Sequence, residues 1–145
     1  MKKIFILSFL FVLGLTVHAQ KANAILGKWY TENNKSVVEV YQENGHFYGK
    51  MIELKTPIDP DTGKPKLDKE NPDAKLQKRP LLGLIIMDGL KFESENYWGG
   101  GEIYDPESGN TYSCRLKMVG NDQIDMRGYM GFSLIGRSTI WHRKK

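Results

Sequence analysis

Three apolar-polar runs separated by turn residues decide the fold: Tyr97-Trp98-Gly99-Gly100-Gly101-Glu102-Ile103-Tyr104, Thr111-Tyr112-Ser113-Cys114-Arg115-Leu116-Lys117-Met118-Val119 and Gln123-Ile124-Asp125-Met126-Arg127-Gly128-Tyr129-Met130. Between the first two stands Asp105-Pro106-Glu107-Ser108-Gly109-Asn110, a turn that combines proline and glycine. Gly120-Asn121-Asp122 separates the second from the third. Cys114, Leu116 and Met118 alternate, so they share one face of a half-buried strand. Run, turn, run, turn, run reads as an antiparallel meander.

The pattern continues in both directions. Upstream lie Leu26–Thr31, Ser36–Gln42, Phe47–Leu54 and Gly83–Phe92, with Asn44-Gly45 as a tight hairpin signal. Downstream, a bend from Gly131 to Gly136 leads into Arg137–Arg143. Eight strands result. No stretch beyond the amino terminus holds a helical period for twelve residues. The expected class is all-β, an antiparallel sandwich or barrel, and eight is a natural closing number for a barrel.

Lys55–Pro80 breaks the rhythm. It holds five of the six prolines, many charges and few apolar residues, and it separates the third and fourth strands. A connection this long inside a small domain is usually functional or disordered. It is read as a flap over one barrel end. Asn71-Pro72-Asp73 has the form of a helix start, which predicts a short helix over Asp73–Lys78.

The amino terminus has a different character. Met1-Lys2-Lys3 precedes an apolar run from Ile4 to Leu15, then Val17-His18-Ala19. This is a Sec-type signal peptide over residues 1–19, and its apolar run is too short to span a bilayer. Cleavage is expected after Ala19, with Ala24 as a second site. No cysteine lies near either site, so no lipoprotein anchor is expected. A periplasmic or secreted location follows, with residues 20–145 forming one domain. Lys2 and Lys3 leave with the leader, so 21 basic residues become 19 against 17 acidic, and the net charge falls from +4 to +2. That is no polyanion-binding surface, and no nucleic-acid partner is expected. Cys114 is the single cysteine, so the domain has no internal disulfide and packing must stabilise it.

Several blocks taken together resemble the bacterial family known as domain of unknown function 2147. They are Asp68-Lys69-Glu70-Asn71-Pro72-Asp73, Arg79-Pro80-Leu81-Leu82-Gly83, Trp98 through Gly109, Arg127-Gly128-Tyr129-Met130-Gly131, Gly136-Arg137 and Trp141-His142-Arg143. The resemblance runs from Leu26 to Arg143. It implies an exported, lipocalin-like (calycin) barrel and no established activity. Framework positions on this reading are Gly27, Trp29, Asp68, Asn71, Pro80, Gly83, Pro106, Gly109, Gly128, Gly131, Arg137 and Arg143. Gly27-Lys28-Trp29 is similar to the Gly-x-Trp of a first lipocalin strand, whose tryptophan meets an arginine from the last strands. Arg137 and Arg143 are the candidates for that arginine.

Catalytic and metal chemistry find little support. Asp59, Asp61 and Glu70 fall at positions 1, 3 and 12 of a calcium loop, but the glycine comes one residue early and no helices flank it. No metal and no cofactor are assigned. His46 and His142 stand in no nucleophile motif, and Gly99-Gly100-Gly101 lacks the lysine and following helix of a phosphate loop, so a bulge is expected there. The polar set Asp68, Asn71, Arg79, Asp105, Arg127 and Tyr129 is read first as a network pinning the flap to the barrel, with a ligand-orienting cluster as the alternative. The leading expectation is a non-enzymatic barrel binding a small apolar or amphipathic ligand under the flap. Candidate ligand contacts are Tyr48, Arg79, Trp98, Tyr104, Asp105, Arg127, Tyr129 and Trp141. A protein-interaction module of the envelope, and a hydrolase-like enzyme using Asp105, Glu107, Arg79 and Tyr129, are the alternatives. Oligomeric state is left open.

Overall fold

Alternating side chains give each strand one apolar face, and closing the sheet on itself buries all eight faces at once. The computed structural model describes residues 21–131 and 135–145; the expected leader, 1–19, and the centre of the expected 131–136 bend lie outside them. The strands are β1 (Gly27–Tyr30), β2 (Ser36–Glu43), β3 (His46–Leu54), β4 (Ile85–Ser94), β5 (Tyr97–Asp105), β6 (Asn110–Val119), β7 (Gln123–Tyr129) and β8 (Gly136–Arg143). Each pairs antiparallel with its neighbour, and β1 pairs with β8 to close the barrel. The expected eight-stranded barrel, with its flap between β3 and β4, is the observed fold.

Turn chemistry fixes the ends. Asn44 and Gly45 take φ of 50° and 78°, the left-handed pair a two-residue hairpin needs. The three consecutive glycines make the expected irregularity: the β5–β6 register shifts between Trp98 and Gly101. A Cβ at Gly101 would stand 2.5 Å from the Asp88 carbonyl oxygen, so a side chain there would push the strands apart.

One end of the barrel is filled and plugged. Trp29, Val38, Phe47, Leu90, Trp98, Leu116 and Ile124 pack inside it, and a 3-10 turn over Asn23–Ile25 buries Ile25 against them. Both indole N–H groups are satisfied by this turn region, Trp29 Nε1 donating to Ile25 O and Trp98 Nε1 to Ala22 O. Arg143 is the closing arginine. Its guanidinium lies 4.1 Å from the Trp29 ring centre and donates to the carbonyls of Leu26, Ala24 and Asn121. Arg137 sits at the opposite end, paired with Glu32.

The flap is two back-to-back loops. Ile58 bridges Pro65 in the first, and Leu67 bridges Pro80 in the second. The predicted helix over 73–78 is absent, which corrects the sequence reading. Asn71 Oδ1 does accept from Asp73 N, as a cap would. Only two four-residue turns follow, closed by Leu76 N to Asp73 O and Arg79 N to Leu76 O. Leu76 is the one large apolar side chain in that stretch and is exposed, so no buried face offsets the cost of nucleating a helix.

Candidate functional site

Opposite the plug, the barrel opens into a cup of about 840 Å³. Its wall is built by inward positions of the upper strands: Met51 and Leu54 from β3, Ile86 from β4, Ile103 from β5, Met126 from β7 and Trp141 from β8. Leu81, where the flap returns to the barrel, closes one side. Gly128 leaves room because it presents no side chain there; an added Cβ would meet Tyr112 Cβ at 3.5 Å and Ile103 Cγ2 at 3.6 Å, ordinary contact distances. Polar groups ring the mouth: Glu32 and Lys35 from the β1–β2 connection, Lys55 and Lys66 from the flap, Asp105 and Glu107 from the β5–β6 turn, and Arg137 from β8. An apolar-walled cavity of this size with polar groups around its rim has the dimensions of a small-molecule site.

A buried network holds the flap at this mouth. Asp68, wholly inaccessible, accepts from Tyr104 Oη at 2.5 Å on one oxygen and from Asn71 Nδ2 at 2.9 Å and Arg79 Nε at 2.8 Å on the other. Asn71 Nδ2 also reaches Tyr104 Oη, and the Arg79 guanidinium stands 5.7 Å from the Tyr104 ring centre. Burial, then the bond to Asp68, pushes the Tyr104 phenol above its ordinary pKa. Gly109, at φ +72°, lets the β5–β6 turn lie directly against the flap: a Cβ there would collide with Glu70 O.

Of the eight sequence-predicted ligand contacts, the structure brings Tyr104, Asp105, Tyr129 and Trp141 to the cup and leaves four elsewhere. Tyr48 lies on the outer sheet face, stacked on Tyr41 at 5.6 Å. Trp98 is buried in the plugged end, and Arg79 belongs to the flap network. Arg127 lies outside the cup wall, with Nη1 3.5 Å from Ser138 Oγ. The anticipated polar set therefore divides. Asp68, Asn71 and Arg79 form the pin together with Tyr104, whereas Asp105 ties its own turn by accepting from Glu107 N and Ser108 Oγ.

The other framework positions fall at joints. Gly83 N donates to Met51 O where the flap returns to the barrel, Pro106 shapes the β5–β6 turn, and Gly131 takes φ +62° after β7. Of the groups proposed for hydrolysis, Asp105, Glu107 and Tyr129 line the cup, whereas Arg79 is held by Asp68 outside it, and Glu107 pairs with Lys35 at 2.8 Å. In the calcium-like loop, Lys69 pairs with Asp59 and holds its carboxyl below the usual carboxylate range. Cys114 is buried, and burial pushes its thiol up to about 12.

The aliphatic wall and the two flap lysines were missed by the sequence reading. Alternation of Phe47, Gly49 and Met51 was the available signal for the wall. The lysines carried none, since charges in a proline-rich loop have no period.

A family model described as uncharacterized protein conserved in bacteria (DUF2147) matches residues 27–143. No curated protein matches the chain. Among solved structures it is similar to protein HP1028 from the human pathogen Helicobacter pylori, described as belonging to the lipocalin family. Identity is 27%, the TM-score is 0.72, and 83% of each chain is covered.

Proposed function

We propose a function for this chain, which belongs to the bacterial DUF2147 family and folds as a lipocalin-like barrel: it binds a small apolar or amphipathic molecule in its open cup. The observation behind this is the contrast between the barrel's two ends. One is packed solid under Arg143 and Trp29, while the other keeps about 840 Å³ lined by Met51, Leu54, Ile86, Ile103 and Met126. An apolar wall favours apolar ligand surface at about 25 cal/mol per Å² removed from water. We read the role as binding rather than catalysis, since Arg79, Asp105 and Glu107 are each engaged in structural contacts. We place this activity in the cell envelope on the strength of the leader-like residues 1–19.

Native mass spectrometry of the chain purified from its own envelope, with a thermal-shift screen of lipids and lipophilic metabolites, tests the reading. A bound small molecule, or a concentration-dependent rise in melting temperature, supports it. A chain that carries nothing and responds to no apolar compound refutes it. Fusion of residues 1–24 to a reporter active only outside the cytoplasm tests the location separately.

A further inference from the structure

We infer that the polar end of the ligand is anionic and that Lys55 and Lys66 receive it, an inference that rests on the cup being the binding site. It comes from pairing the charges at the mouth. Lys35 Nζ reaches both carboxylate oxygens of Glu107, at 2.8 and 2.9 Å. Arg137 is paired with Glu32. Asp105 spends one oxygen on Glu107 N at 3.0 Å and the other on Ser108 Oγ at 2.7 Å. Among the described residues that line the cup, this leaves Lys55 and Lys66 without a carboxylate and Asp105 without a cation, an excess of one positive charge.

Both are held in place by their backbones. Lys55 N donates to Lys35 O at 2.9 Å, and Lys66 N donates to Pro57 O at 2.9 Å. Lys66 O accepts from Leu81 N at 3.0 Å. The two lysines therefore sit directly beside the apolar wall, Lys55 following Leu54 and Lys66 bonded to Leu81. Lys66 Nζ uses one donor on Thr56 Oγ1 at 2.7 Å and retains two. Two ammonium groups with no carboxylate partner, on a mouth carrying one net positive charge, suit an acyl or alkyl chain ending in a carboxylate or a phosphate monoester. A cationic head would be repelled there. A neutral head would gain a hydrogen bond from the lysines but no ion pair.

Displacement of the neutral fluorophore N-phenylnaphthylamine from the leader-less chain at pH 7 tests this, using dodecanoate, dodecyl phosphate, dodecanol and dodecylamine. The two anions should displace it at roughly three- to tenfold lower concentration than dodecanol, with dodecylamine weakest, and the advantage should shrink in high salt. In the double variant Lys55→Gln/Lys66→Gln the anion advantage should vanish while dodecanol displaces as before, which also shows that the variant is folded. Equal displacement by acid and alcohol on the unmodified chain overturns the inference and leaves the cup as a binding site. So does an anion preference that survives in the double variant. Failure of the fluorophore and all four amphiphiles to bind would instead sink the binding reading, and this inference with it.

Discussion

Tyr104 joins the cup to the flap: its ring lines the cavity while its hydroxyl donates to the buried Asp68 carboxylate at 2.5 Å. The same side chain is therefore wall and latch. Tyr104→Phe keeps the wall and removes the latch donor, leaving Asp68 Oδ1 short of a partner where no water reaches it. The expected cost is about 1–3 kcal/mol, read as a lower urea midpoint at unchanged slope. A midpoint within error of the unmodified chain would mean that the network does not hold the flap.

Docking of the flap should also depend on Gly109. Gly109 and Gly120 both occupy left-handed backbone, at φ of +72° and +65°. A Cβ at Gly120 would meet nothing within 4 Å, whereas one at Gly109 would collide with Glu70 O. Gly120→Ala should therefore cost about 1 kcal/mol of backbone strain. Gly109→Ala should cost that and lift the flap as well, exposing 55–80 to protease faster than in Gly120→Ala. Equal cleavage rates in the two variants would rule out this contact.

How far the sequence could be read follows from what alternation measures. Cys114, Leu116 and Met118 disclosed an inward face, and Asn44-Gly45 disclosed a hairpin, because both signals are local. Height along the barrel axis is not local. Trp98 and Trp141 both point inward, yet Trp98 is paired with Leu116 near the plug while Trp141 reaches the cup. Only the register between strands separates them. Tyr48 looked like a lining residue because an aromatic on a strand does not announce its face. The flap helix failed for a related reason: Asn71 caps as its motif demands, but a cap without a buried face does not propagate.

Arg143 closes the plugged end through its forked geometry. Arg143→Lys keeps the charge near Trp29 but cannot reach the carbonyls of Leu26, Ala24 and Asn121 together. We expect a loss of about 2–3 kcal/mol, and a larger one for Arg143→Met, which also gives up the cation–π contact. Thermal unfolding of the three chains should rank arginine, lysine, methionine. Lysine matching arginine would show that charge alone suffices.

Cys114 reports on the packed interior. Its thiol is buried and its pKa is raised, so the folded chain keeps the proton where the unfolded chain releases it above its ordinary value of 9.0. A raised folded pKa gives stability that is complete below that value and is lost as pH climbs toward about 12. The loss should reach about 1.4 kcal/mol by pH 10, and Cys114→Ala should flatten that part of the curve. At pH 8 a thiol reagent should leave the native chain untouched and label it once in urea. Fast native labelling would contradict the burial.

Gly128 offers the most direct control of the cup. Its backbone is ordinary extended strand, and an added Cβ meets Tyr112 and Ile103 at contact distance without overlap. Gly128→Ala should therefore leave stability unchanged or raise it by up to about 1 kcal/mol, while narrowing the cavity by one methyl. Gly128→Val adds two further carbons into the same space. Apolar ligands should bind progressively more weakly from glycine to alanine to valine, with melting temperatures nearly level across the series. A cavity that merely reflects loose packing would give the opposite result, since valine would then raise stability and leave ligand response untouched. The two outcomes separate a site that needs its empty volume from a core with a defect.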